Sequence, residues 1–206
     1  MLKIWGRKNS TNVRKALWAA EEAGVQYEAL NAGGAFGLVN EPEFRAKNPN
    51  GVVPMIEDGD FVLWESNTIV RYLSARYAPA LLYPEDLQAR ASAEKWMDWT
   101  TASFATPFRT VFWGVLRTPA DQQDWVQING AIKVIQELLV VVDEALGKQQ
   151  YLSGDEFGMG DIPLGSFIYA WFEMPIERAS MPHLEAWYGR LKARPAYQAA
   201  VMTALT

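Results

Sequence analysis

The chain reads as two parts of different class, an α/β N-terminal part over residues 1–78 and an all-helical part over residues 87–206, joined by a linker at 79–86. Three observations predict this. Short β-type runs alternate with helical ones only in the first part. Proline and charge gather in Ala78-Pro79-Ala80 and Pro84-Glu85-Asp86, and beyond them nothing reads as a strand. With 206 residues, half of them hydrophobic and 21% charged, there is mass for a core in each part.

The elements follow in order. Leu2-Lys3-Ile4-Trp5 alternates as a strand. Ser10-Thr11-Asn12 precedes the stripe Val13, Ala16, Leu17, Ala20, a helix that stops at Gly24. Residues 25–30 read as a second strand and complete a β-α-β unit. Gly33-Gly34-Ala35-Phe36-Gly37 is a mobile loop, and 41–47 a short helix. Residues 52–57 and 61–64 flank Asp58-Gly59, a turn dipeptide that favours a tight hairpin. Ile69, Leu73 and Tyr77 mark a helix from Glu65 onward.

The second part opens on one long helix over 87–116, rich in Trp and Phe, which Thr118-Pro119 breaks. Trp125, Ile128, Ile132, Ile135, Leu139, Val142 and Leu146 alternate spacings of three and four, a core helix. Further helices fit 161–172, 183–193 and 195–205.

Composition excludes several functions. A net charge of −5 offers no attraction to nucleic acid or to an anionic membrane surface. The absence of Cys rules out disulfides, zinc thiolate sites and C-x-x-C redox pairs, so any thiol chemistry uses a thiol that arrives with a ligand. The start, MLKIWGRK, lacks the apolar region of a secretory signal, and no run of about 18 apolar residues appears. A cytoplasmic protein is the expectation. Nine Trp and nine Phe supply aromatic surface for cores and pockets alike.

The chemistry concentrates in residues 48–73. Val53-Pro54 opens a strand, and Glu65-Ser66 stands at the mouth of a helix. A helix N-terminus with a hydroxyl binds a carboxylate, and the Glu meets an ammonium. Backbone at the X-Pro bend beside them suits holding a small peptide in an extended pose.

The order of these parts resembles the glutathione S-transferase family, in its serine-type, theta-like or zeta-like bacterial form, with a thioredoxin-like first domain and a helical second one. The resemblance covers nearly the whole chain. It includes Tyr151-Leu152-Ser153-Gly154-Asp155 followed by Asp161-Ile162, and Pro182-His183-Leu184, Trp187 and Arg194-Pro195. It implies that Pro54 is cis, that Val53 pairs through its backbone with the cysteinyl unit of glutathione, and that Glu65 and Ser66 hold the γ-glutamyl end. Asp161 reads as structural, and His183, the only His, is no base.

The thiol-activating position falls on Ser10-Thr11-Asn12. Ser10 comes first, because serine-type members place an Arg four residues on, as Arg14 is here; Asn12 is second and Thr11 third. Lowering a thiol pKa from about 8.5 to below 7 takes roughly 2.7 kcal/mol. One hydrogen bond to the thiolate, about 1.5–3 kcal/mol, plus a helix end, about 0.3–1 kcal/mol, suffices.

Family members with Lys or His just before the cis-Pro use it on the glycine carboxylate. Gly51 and Val52 are neutral, which leaves Asn40, a backbone N–H or water, and predicts weaker glutathione binding. For the electrophile the candidates are Phe108, Arg109, Phe112 and Trp113, with Phe104, Leu116 and Arg117 near them and Phe36 from the loop. Arg109 among apolar neighbours suits a carboxylate-bearing electrophile such as a small haloacid.

The resemblance thus implies a transferase that conjugates glutathione, its co-substrate, to a small electrophile, without a metal and as a homodimer. The alternatives are glutathione-dependent disulfide or peroxide reduction, and a non-catalytic glutathione-transferase-like binding protein.

Overall fold

The computed structural model describes residues 1–205. Its first half is a four-stranded sheet in the order β2-β1-β3-β4, from β1 (Leu2–Trp5), β2 (Tyr27–Leu30), β3 (Met55–Asp58) and β4 (Phe61–Trp64). β1 runs parallel to β2 and antiparallel to β3, with Ile4 opposite both Ala29 and Ile56. Parallel neighbours need a crossover, which α1 (Thr11–Glu22) supplies. Gly24, at φ +63°, ends that helix.

The hairpin forms with Asp58 paired to Phe61, so its two-residue turn is Gly59-Asp60 rather than Asp58-Gly59. Asp58 ends the strand, and its Oδ2 accepts from Tyr72 at 2.7 Å and Tyr77 at 2.6 Å on α3 (Ser66–Tyr77). The second and third strands start later than expected: β2 at Tyr27 instead of 25, and β3 at Met55 instead of 52, beyond the Val53–Pro54 bond, which is cis.

The expected linker carries a one-turn helix, α4 (Pro79–Leu82), whose Leu82 is fully buried. The long helix over 87–116 exists as α5 (Leu87–Trp99), a π-helical turn (Thr100–Phe104) and α6 (Ala105–Leu116). The widened turn lies just before Pro107, which lacks an N–H and whose ring crowds the carbonyl four residues back. Its side is held by the Thr100 hydroxyl, which donates to Trp96 O at 2.7 Å.

The bundle is completed by α7 (Trp125–Leu146), α8 (Asp161–Glu173), α9 (Pro182–Lys192) and α10 (Pro195–Ala200), with α2 (Pro42–Lys47) in the first domain. α10 is shorter than the 195–205 expected. Past Val201 the chain turns back, and the Arg14 guanidinium donates to Thr203 Oγ1 at 2.8 Å and Ala204 O at 3.2 Å.

α7 is long and apolar enough to cross a membrane, with mean hydropathy 1.4 over its window. A scan for uninterrupted apolar runs passes over it, because Gln127, Asn129, Lys133, Gln136 and Glu137 interrupt it. Its stripe Ile128, Ile132, Ile135, Leu139, Val142 and Leu146 belongs to the buried core.

α1 lies between the two halves, and every residue from Val13 to Ala20 is buried. Val13, Ala16, Leu17 and Ala20 share one face. Arg14, Lys15 and Trp18 share the other, where Trp18 packs edge-on against Tyr197 at 4.7 Å and close to Phe157. Gly165 on α8 makes this approach fit, since a Cβ there would meet the Trp18 ring at 2.7 Å.

Candidate functional site

A cleft of about 290 Å³ opens between the β1–α1 loop, the head of α3 and the π turn with α6, close to the lower end of small-ligand sites. Ser10, Thr11, Asn12, Glu65, Ser66, Phe108, Arg109, Phe112 and Trp113 line it together, as does Arg117. The sequence placed these in two separate domains, and the fold joins them.

The head of α1 is built to leave a hydroxyl uncommitted. Ser10 takes extended backbone at φ −87° and ψ 124°, and its carbonyl accepts from Arg14 N–H at 2.9 Å, yet its side chain makes no capping bond. An ordinary cap would use that oxygen on the helix. Asn12 is engaged: its Oδ1 accepts from the Ser66 hydroxyl at 3.3 Å. Arg14, whose spacing from Ser10 carried the resemblance, donates from Nε to Lys8 O at 3.2 Å and ties the loop to the C-terminal tail.

At the head of α3, Glu65 is exposed and holds φ +76°, a region costly for a residue with a side chain. Ser66 is buried behind it. Lys15, absent from the sequence reading, reaches Ser66 Oγ at 3.4 Å and Asn67 Oδ1 at 3.3 Å. Burial pulls its ammonium down to about 7, and the Glu65 carboxylate opposes this. Asn67 in turn donates to Met97 O at 2.7 Å and Thr101 Oγ1 at 3.1 Å, linking the site to the π turn.

Two expected residues lie elsewhere. Phe36 sits on a short turn (Gly34–Phe36), half exposed and outside the cleft walls. Asn40 is also outside, with its Oδ1 accepting from Arg45 at 3.0 Å. A mobile-loop reading gives no direction for the Phe36 side chain, and neither residue borders this cleft. Val53 and Pro54 do not line the cleft either; Val53 packs beneath Gly33, and its position precedes the β3 ladder. Phe104 and Phe108 are buried and stacked, so they serve mainly as core beneath the cleft.

The corner taken as neutral is not. The Arg45 guanidinium lies against Gly51, within 2.5 Å of where a Cβ would stand, and donates to Pro49 O. The sequence named Asn40 here but not Arg45, the cation from α2 that donates to it.

Arg7 also escaped it. Its guanidinium rests on Gly34, where a Cβ would be 2.8 Å from Nε, and donates to Asn9 Oδ1 at 2.8 Å. Burial first, and the Arg117 charge second, hold Arg7 below the usual arginine value. Arg117 lies over the Phe112 and Trp113 rings, 5.6 Å from each centroid. The cleft thus carries Arg7, Lys15, Arg109 and Arg117 against Glu65, in a chain of net charge −5. Such a wall concentrates anions.

A thioredoxin-like sheet with a helical domain over one face, and a cleft between them fit for an anionic peptide and an apolar partner, defines a class of protein. The comparisons agree with it. Residues 1–75 match the model for the glutathione S-transferase N-terminal domain, and 115–195 that for the C-terminal domain. Glutathione S-transferase GstB of Escherichia coli K12 is 42% identical over 204 residues, 98% of each chain. Glutathione S-transferase 1 of Zea mays is 29% identical, over 96% of this chain and 94% of that one. The theta class glutathione S-transferase of the citrus canker pathogen Xanthomonas axonopodis pv. citri, solved with glutathione bound, is 63% identical, with a TM-score of 0.97 over 100% of this chain and 99% of that one. The chain belongs to the glutathione S-transferase family.

Proposed function

We propose that this protein is a glutathione transferase whose Ser10 hydroxyl donates to the sulfur of bound glutathione and keeps it as thiolate. The observation that carries the reading is the uncommitted Ser10 hydroxyl, opening into the same cleft as Glu65-Ser66. Glu65 meets the γ-glutamyl ammonium, and Ser66 with the N-terminus of α3 meets its carboxylate. Val53 pairs through its backbone with the cysteinyl unit. The Arg45–Asn40 pair receives the glycine carboxylate. The sulfur lone pair then forms the C–S bond to the electrophilic carbon, and the leaving group departs with its electrons. Positioning and thiolate stabilisation carry the rate.

The electrophile is small, apolar against Phe112 and Trp113, and acidic, with its carboxylate on Arg109 and Arg117. The protein works as a homodimer, which light scattering at the expected doubled mass checks. Assay of an aryl halide beside a haloacid and a model disulfide tests the reaction. Conjugation with preference for the haloacid supports the reading; disulfide reduction without conjugation replaces it. Failure of the protein to be retained on immobilised glutathione removes it altogether.

A further inference from the structure

Lys15 takes no part in the chemistry just described, yet it sits in the middle of the site. It is 2% exposed, one turn into α1, and its Nζ lies 3.4 Å from Ser66 Oγ and 3.3 Å from Asn67 Oδ1. The Phe167 ring of α8 covers another side, with its centroid 5.2 Å away. Among the described residues Lys15 makes no ion pair. A hydroxyl, an amide oxygen and a ring replace little of the hydration that a buried ammonium loses.

The charged groups around it are unequal. Glu65, just ahead of α3, is the one acid lining the cleft among the described residues. Arg7 from the β1–α1 loop and Arg109 and Arg117 from α6 line the same cleft and oppose the Lys15 charge. α8 brings Phe167 and the π turn brings Thr101, both neutral, while Arg14 on α1 points to the C-terminal tail. The ammonium therefore lacks an anion of its own, and the site beside it is shaped for one.

We propose that Lys15 is the buried counter-charge of the glutathione site: with Ser66 it receives the γ-glutamyl carboxylate, and its amine takes up a proton from solvent as that carboxylate arrives. The inference rests on the glutathione reading and deepens it. A carboxylate accepting from the Ser66 hydroxyl comes within a few ångströms of Nζ, and an opposite charge at about 4–6 Å favours the protonated amine. The ligand's own ammonium meanwhile neutralises Glu65, so the carboxylate becomes the nearest unbalanced acid. The free amine held by burial near neutral pH is the form that accepts the proton. Lys15 is thus a positioning residue whose charge is completed by the ligand.

The test uses S-methylglutathione, which has no thiol proton to release. Its binding heat is measured calorimetrically in buffers of different ionisation enthalpy, with the intact protein. At about pH 7.5 the natural protein should take up a fraction of a proton per site, falling toward zero at about pH 5.5, where Lys15 is already charged. Lys15→Arg, which cannot titrate, should bind without uptake. Lys15→Met should bind roughly tenfold or more weakly, also without uptake. Binding of the natural protein with no proton uptake at either pH, or uptake that survives in Lys15→Arg, overturns the inference and leaves the glutathione reading standing. No binding of S-methylglutathione to the natural protein overturns both.

Discussion

At the scale of single residues, the site is assembled from side chains that secondary structure leaves unspent. Ser10 is the leading case, because a helix cap that does not cap leaves its hydroxyl unspent beside the cleft. Replacing it with Ala should remove one hydrogen bond to a charged acceptor. The expected result is a fall in kcat/KM of roughly 10–100-fold and a rise of about one to two units in the pKa of bound thiol, read from thiolate absorbance. A larger loss in Asn12→Ala than in Ser10→Ala would move the role to Asn12.

Lys15 gives a second test at this scale, through stability. An unfolded Lys titrates near 10.4, and the folded one near 7. Between these values the unfolded state binds more protons, so ligand-free stability rises with pH. Below about 7 both states are charged, and the full cost of burial is felt. Tm should therefore increase from about pH 6.5 to about pH 9, and Lys15→Met should abolish that increase. A flat Tm profile in the natural protein would count against a buried, titrating Lys15.

At the scale of elements, the π turn and the head of α3 are one unit. Asn67 is buried and bonds Met97 O, Thr101 Oγ1 and the Lys15 ammonium at once. Asn67→Ala leaves buried polar groups unpaired, and should cost about 2–4 kcal/mol by urea unfolding. Much of this level was legible in the sequence. Helix 87–116 was visible in its aromatics, but its π turn was not, because a single Pro107 does not announce how the chain relieves it.

Asp161 is the clearest success among the single structural residues. Its carboxylate accepts from Leu152 N at 2.7 Å, Gly158 N at 3.2 Å and Trp187 Nε1 at 2.9 Å. Asp161→Ala should destabilise by about 3–5 kcal/mol while leaving the glutathione KM of the surviving folded protein near its natural value. The same short-range logic does not reach Phe36, since a glycine-rich loop fixes no direction for a ring, nor the Arg45 partner of Asn40.

At the scale of the whole molecule, α1 fastens the halves together. Trp18 fits against Gly165, Tyr197 and Phe157, and Arg194 reaches across to Glu22 with both contacts at 2.7 Å. Gly165→Val should drive a branched side chain into the Trp18 ring and lower stability by about 1–3 kcal/mol or more. Because the interface is also the core, both halves should unfold in one transition by circular dichroism and by Trp fluorescence. Two separated transitions would mean that the halves are independent.

By itself the sequence determined the strand and helix order and the place of Glu65-Ser66 at a helix start, because those follow from residue spacing and short-range backbone chemistry; the class and the candidate serine came from the family resemblance those residues carry. The tertiary structure decided which charges enter the cleft. Lys15 lies opposite the apolar stripe of α1, on a face that one domain alone would leave in water; the second domain covers it, and burial changes what a lysine can do. Arg7 likewise gains its place from Gly34, a glycine distant in sequence. Periodicity records a helix's own faces, and it carries no record of what later packs against them.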